Sequence, residues 1–198
     1  MNTTNADYFT FNAHNTMLLI GQSGSGKSYL VHRLIDRYIQ SRSPDELKLA
    51  IFDMKQVEFV TPEDINPEYL LFDVVLDPTS GLDKLDELVE IAQKRVTENT
   101  FSPLIFVYIE ENDMARVDLS RFEEALINLN HVANDANMKV IYSTSSPSPE
   151  SVSDKLAESF ELILSGNITN DDAARLEINK GVINLEKFSF SVKEKLLA

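Results

Sequence analysis

The chain has 198 residues, of which 43% are hydrophobic and 25% charged, with a net charge of −14. This is the composition of a soluble globular protein of ordinary domain size, and no apolar run approaches the roughly 20 residues that cross a bilayer. The absence of cysteine excludes a disulfide framework or a thiolate metal site, and the acidic balance excludes a protein that coats itself in nucleic acid through a basic surface.

The N-terminus lacks the charged start and apolar centre of a secretory signal, so the expected location is the cytoplasm. We find no internal repeat, and the expectation is a single domain over 1–198, with residues 1–15 as an N-terminal extension and 182–198 as a C-terminal extended tail.

The first element is a short apolar strand, Thr16 to Ile20, which ends in a glycine-rich turn. Tyr29, Leu30, Leu34, Ile35 and Tyr38 then recur at helical spacing. A second strand spans Leu47 to Phe52, and a short extended piece follows over Leu70 to Val75. The run Asp77-Pro78-Thr79-Ser80 caps a helix that carries Leu82, Leu85, Leu88, Val89 and Ala92 on one face. Leu104 to Ile109 is apolar at every position, as a parallel strand buried on both faces should be, and stops at Glu110-Glu111. A helix over Leu119 to Ala136 and a strand over Met138 to Tyr142 lead into a polar loop, Ser143 to Pro149. A short helix around Ser151 to Glu158, a strand over Phe160 to Leu164, a helix over Asp171 to Ile178 and extended chain around Val182 to Val192 complete the series. Alternating strands and helices predict an α/β fold with a mainly parallel sheet flanked by helices on both faces.

Gly21-Gln22-Ser23-Gly24-Ser25-Gly26-Lys27-Ser28 matches G-x-x-x-x-G-K-[ST] in full, between a predicted strand and a predicted helix. Glycines allow a tight turn whose backbone N–H groups point inward, and the helix N-terminus adds partial positive charge, so the loop suits the phosphates of ATP. Lys27 is placed to reach the β and γ phosphates, and Ser28 to put its hydroxyl on Mg²⁺. Tyr29 completes the candidate nucleotide-binding set.

Hydrolysis needs an acid that orients the metal shell and a group that aims the attacking water. Glu110 and Glu111 stand where these are expected, Glu110 towards Mg²⁺ and Glu111 towards the water, with Asp113 as a spare carboxylate. The alternative is a solvated strand end. Thr144 and Ser145 are candidate γ-phosphate sensors, although hydroxyls are also common in any turn. Asp53 and Lys55 either face the site or a neighbouring subunit, or form an ordinary surface pair. His14, His32 and His131 have no metal-ligand spacing.

Taken in order, these segments resemble the motor domain of the FtsK/HerA family of DNA-translocating ATPases, over about Met17 to Phe190. Gly21 to Ser28 is similar to the family's phosphate loop, and Asp53-Met54-Lys55 to its aspartate and lysine after the second strand. Phe106 to Glu111 is similar to the strand carrying its aspartate-glutamate pair, and Ser143 to Ser148 to its sensor loop. The resemblance implies a RecA-like P-loop NTPase core in which the sensor strand lies between the phosphate-loop strand and the acidic strand. It also implies a homo-oligomeric ring, commonly a hexamer, with double-stranded DNA in its pore and ATP between subunits. Only pore loops then touch DNA, which reconciles the acidic surface with such a partner.

The departures describe a minimal, partly degenerate member. Glu110 replaces the usual aspartate, Ser145 and Ser146 replace glutamine and arginine, and Glu161 lies near where an arginine completing the neighbouring site is common. Arg175, Arg116 and Arg121 are the candidates for that arginine. Three functions compete: a DNA-pumping ATPase, a nucleotide-switched interaction protein with little hydrolysis, and an unrelated small P-loop kinase.

Overall fold

The computed structural model describes residues 11–56, 59, 65–110, 113–145, 152–167, 182–185 and 188–194. In chain order the elements are β1 (Thr16–Gly21), α1 (Lys27–Gln40), β2 (Leu47–Asp53), a 3₁₀ turn (Pro67–Tyr69), α2 (Pro78–Glu98) and β3 (Leu104–Glu110). They continue with α3 (Asp113–Val117), α4 (Leu119–Val132), β4 (Met138–Thr144), α5 (Asp154–Glu158), β5 (Leu162–Asn167), β6 (Val182–Leu185) and β7 (Phe188–Glu194).

The strands form one sheet in the order β2-β3-β4-β1-β5-β7-β6. The first five are mutually parallel, whereas β7 runs antiparallel to β5 and β6 antiparallel to β7. Strand β4 thus lies between β1 and β3, as the resemblance implies. Two apolar layers cover the two faces. Leu30, Val31, Leu34, Ile35 and Tyr38 of α1 pack on Leu19, Leu49, Ile51, Tyr108 and Ile141. On the other face, Leu82, Leu85 and Leu88 of α2 and Phe122, Leu126 and Leu129 of α4 pack on Phe52, Val107, Ile109 and Val140. Because strand side chains alternate between faces, a strand buried on both sides is apolar along its length, and β3 is so from Leu104 to Ile109 before it ends in Glu110.

Local chemistry sets the helix starts. Asp77 accepts a hydrogen bond from the Ser80 N–H at 2.8 Å and Pro78 opens α2, while Asp118 and Ser153 cap α4 and α5 in the same way. Helix α2 ends on Asn99 in the left-handed region.

Several boundaries depart from expectation. The extended piece over 70–75 is not a strand but touches β2 through isolated bridges at Leu49–Leu70 and Phe52–Val75. The helix expected to reach Ala136 stops at Val132, and the separate turn α3 precedes it. Strand β4 runs on through Ser143 and Thr144, which were expected in a loop, because pairing with β3 continues to Ser143 and pairing with β1 to Thr144. Strand β5 covers 162–167 rather than 160–164. The expected C-terminal tail contains β6 and β7, which extend the sheet, and the helix over Asp171 to Ile178 lies outside the described residues. The N-terminal extension joins the core, since Phe11 is buried and packs edge-on to Phe106 and Tyr38.

Candidate functional site

The carboxyl ends of the parallel strands meet at one edge of the sheet, where open α/β sheets place their ligands. Strand β1 delivers the chain into the loop Gln22–Gly26, which turns back through a Ser25 N–H to Gln22 C=O bond of 3.1 Å. Gly24 and Gly26 take φ of +82° and +91°, a region that L side chains rarely adopt. Gly26 then caps α1, whose first turn holds no acidic residue, so the positive end of the helix is not neutralised by its own side chains. A Cβ on Gly21 would fall 2.4 Å from Ser25 Oγ and 3.0 Å from the Gly166 carbonyl oxygen, so the close seat of the loop against β5 requires glycine.

Lys27 is buried, and its ammonium donates to the carbonyl of Gly21 and, at 3.3 Å, to that of Gln22. Its charge therefore sits inside the loop curve. Ser28 and Tyr29 follow on the first turn of α1, both half-buried, and the Tyr29 hydroxyl accepts a bond from Arg33 at 3.0 Å.

Across the sheet, Asp53, Glu110, Ser143 and Leu19 lie side by side in register on β2, β3, β4 and β1. Paired residues on neighbouring parallel strands share a face, and Leu19 belongs to the layer against α1, so this row faces the phosphate-loop helix. Glu110 is 3% exposed, and its Oε1 lies 3.6 Å from the Lys55 ammonium. Asp53 is fully buried and accepts a 3.0 Å bond from the Phe59 N–H, fixing the chain that follows β2. The surface-pair alternative for Asp53 is thereby removed, and Lys55 joins Glu110 instead.

Thr144 is also buried, but it pairs in register with Ile20, which packs against the opposite layer. The structure therefore separates it from Glu110, and Ser145, half-buried, comes just after the strand end. Glu111 and Ser146 lie outside the described residues, as does Arg175. Asp113 opens α3. Arg116 is exposed, while Arg121 bonds Asp83 at 2.6 Å and Asp86 at 2.6 and 2.8 Å. Those three bonds, the one to Asp83 first, hold the guanidinium above its ordinary pKa and lock α4 to α2. Sequence reading did not find the Lys55–Glu110 pair, the place of Ser143 in the buried row, or the seat of Gly21 on Gly166, because all three depend on strand register.

The cradle fits a nucleotide triphosphate: two positive-φ glycines, a helix start with no side-chain cap and an internal lysine converge at the end of β1, with a buried carboxylate two strands away on β3. Fold and site together define a P-loop NTPase with a RecA-like core. The chain belongs to the FtsK/SpoIIIE family, whose model matches residues 2–176.

Among curated proteins it is similar to the DNA translocase FtsK of Streptococcus pyogenes serotype M3 (strain SSI-1). That match is 28% identical over 176 residues, covering 75% of this chain and 22% of the relative. The DNA translocase FtsK of Lactococcus lactis subsp. cremoris (strain MG1363) is 27% identical over 164 residues, covering 69% and 22%. The chain thus spans less than a quarter of the length of these relatives. Among solved structures, ATPases 2 and 3 of Thermomonospora curvata EccC superpose with a TM-score of 0.61 at 14% identity, covering 78% of this chain and 30% of that one. The pCW3 conjugation coupling protein TcpA, in its monomer form with ATPγS, gives a TM-score of 0.60 at 17% identity, covering 77% and 49%. These two likenesses concern the fold. Among the described residues no helix is long and apolar enough to cross a membrane.

Proposed function

We propose that the protein is an ATP-hydrolysing motor that assembles into a homo-oligomeric ring, of hexamer size, and translocates double-stranded DNA. The observation that carries this reading is the row Asp53–Glu110–Ser143 facing the start of the phosphate-loop helix, on a chain whose curated relatives are DNA translocases.

In this reading the backbone N–H groups of Gly21 to Ser28 and the start of α1 hold the phosphates, with Tyr29 beside them, and Lys27 exchanges its carbonyl partners for phosphate oxygens. Ser28, by its hydroxyl, and Glu110, by way of water, would hold Mg²⁺. When bound, that ion neutralises charge building on the phosphates. Glu111 accepts the proton of the attacking water, and Thr144 or Ser145 reports the loss of the γ phosphate. Lys55, 3.6 Å from Glu110, places a positive charge beside that buried carboxylate and orients it. The net charge of −14 restricts DNA contact to pore loops, because the outer surface repels phosphate.

A second reading, a nucleotide-switched interaction protein with little turnover, is favoured by one observation. Arg121, a candidate to complete a neighbouring site, is held by Asp83 and Asp86 of its own chain.

The deciding experiment is steady-state ATP hydrolysis across protein concentration, with and without linear double-stranded DNA. The motor reading expects turnover that rises with both, abolition of nucleotide binding in Lys27→Ala, and retained binding without hydrolysis in Glu111→Gln. Tight ATP binding with negligible turnover under every condition overturns it in favour of the second reading.

A further inference from the structure

Ser143 is completely buried near the end of β4, and its Oγ has no hydrogen-bond partner among the described residues. Leaving a buried hydroxyl in that state is destabilising, so such a position calls for a reason. Packing alone does not provide one. Ile141, two residues earlier and on the same face, is an ordinary member of the apolar layer beneath α1, and an apolar residue at 143 would have continued it.

Its neighbours suggest the reason. In register, Ser143 is flanked by the Glu110 carboxylate on β3 and by Leu19 on β1, two residues before the phosphate loop begins at Gly21. A hydroxyl and a carboxylate side by side on the buried face nearest the loop form a polar seat for water, and buried waters typically make about three hydrogen bonds. Thr144 cannot share this seat, because alternation turns it to the other face with Ile20.

We infer that Ser143 is a positioning residue, whose hydroxyl holds a water of the Mg²⁺ shell beside Glu110 when the nucleotide binds. This rests on the proposed ATP and Mg²⁺ reading. Ser143 touches neither the phosphates nor the reacting atoms. It fixes the water through which Glu110 acts, and the site binds the metal–nucleotide complex more tightly than free nucleotide as a result.

The test uses the full chain, wild type and Ser143→Ala, titrated with a fluorescent methylanthraniloyl-ATP in EDTA and in Mg²⁺, together with thermal melts without nucleotide. The expected result is affinity in EDTA within about twofold of wild type, a loss of about five- to tenfold in the tightening caused by Mg²⁺, and an unchanged or raised melting temperature. The loss is that of one hydrogen bond. Wild-type tightening retained in Ser143→Ala overturns the inference alone, as does an equal loss in EDTA and Mg²⁺. A lower melting temperature without nucleotide also overturns it, since the hydroxyl would then have a structural partner. If the wild type itself shows no tightening by Mg²⁺, the ATP and Mg²⁺ reading falls, and the inference with it.

Discussion

At the end of the sheet remote from the phosphate loop, Lys139 is 8% exposed. Its ammonium donates to the carbonyls of Asn12, at 3.2 Å, and His14, and lies 5.6 Å from the centre of the Phe11 ring. Burial, opposed by the Glu161 carboxylate and reinforced by Arg42, brings its pKa from the ordinary 10.5 down to about 8. A lowered folded pKa means that the folded chain binds this proton less tightly than the unfolded chain. The cost to stability is therefore full below pH 8 and disappears as pH rises towards 10.5. At ~1.4 kcal/mol per pH unit the whole effect is about 3 kcal/mol, of which about 2 kcal/mol falls between pH 7.5 and 10. Replacing Lys139 with Met keeps the apolar stem over Phe11 and removes the titration. Urea unfolding of wild type and Lys139→Met at both pH values isolates this group, since every other titration cancels in the difference. Wild type should gain about 2 kcal/mol on the variant as pH rises across that interval. A difference that stays flat within about 0.5 kcal/mol refutes the reasoning.

Two further outcomes concern the site and its frame. Gly21→Ala places a Cβ 2.4 Å from Ser25 Oγ and 3.0 Å from the Gly166 carbonyl oxygen; the hydroxyl can swing aside, but the carbonyl belongs to paired backbone. Thermal melting should show a loss of about 1–3 kcal/mol, with nucleotide affinity down about tenfold as the loop is displaced, and unchanged values for both would contradict the close seat. Arg121→Ala should leave ATP turnover within about twofold of wild type, because its guanidinium is spent on Asp83 and Asp86. A fall beyond tenfold would make Arg121 the residue that completes a neighbouring site.

The sequence by itself determined the features whose causes are local. Gly21 to Ser28 forms a phosphate loop because glycine conformational freedom, a preceding apolar strand and a following helix lie within some 25 consecutive residues. The Asp77 cap and the apolar run ending at Glu110 are likewise local, so the start of α2 and the span of β3 are found almost to the residue. Tertiary structure alone decided what depends on register between distant strands. Ser143 and Thr144 look interchangeable along the chain, yet pairing with β1 and β3 sends one to the face of Glu110 and the other away from it. The Lys55–Glu110 pair, the seat of Gly21 against Gly166, and the use of β6 and β7 to extend the sheet have the same origin. A strand's side-chain period is two, so a single step in register exchanges its faces, and only long-range pairing selects the step.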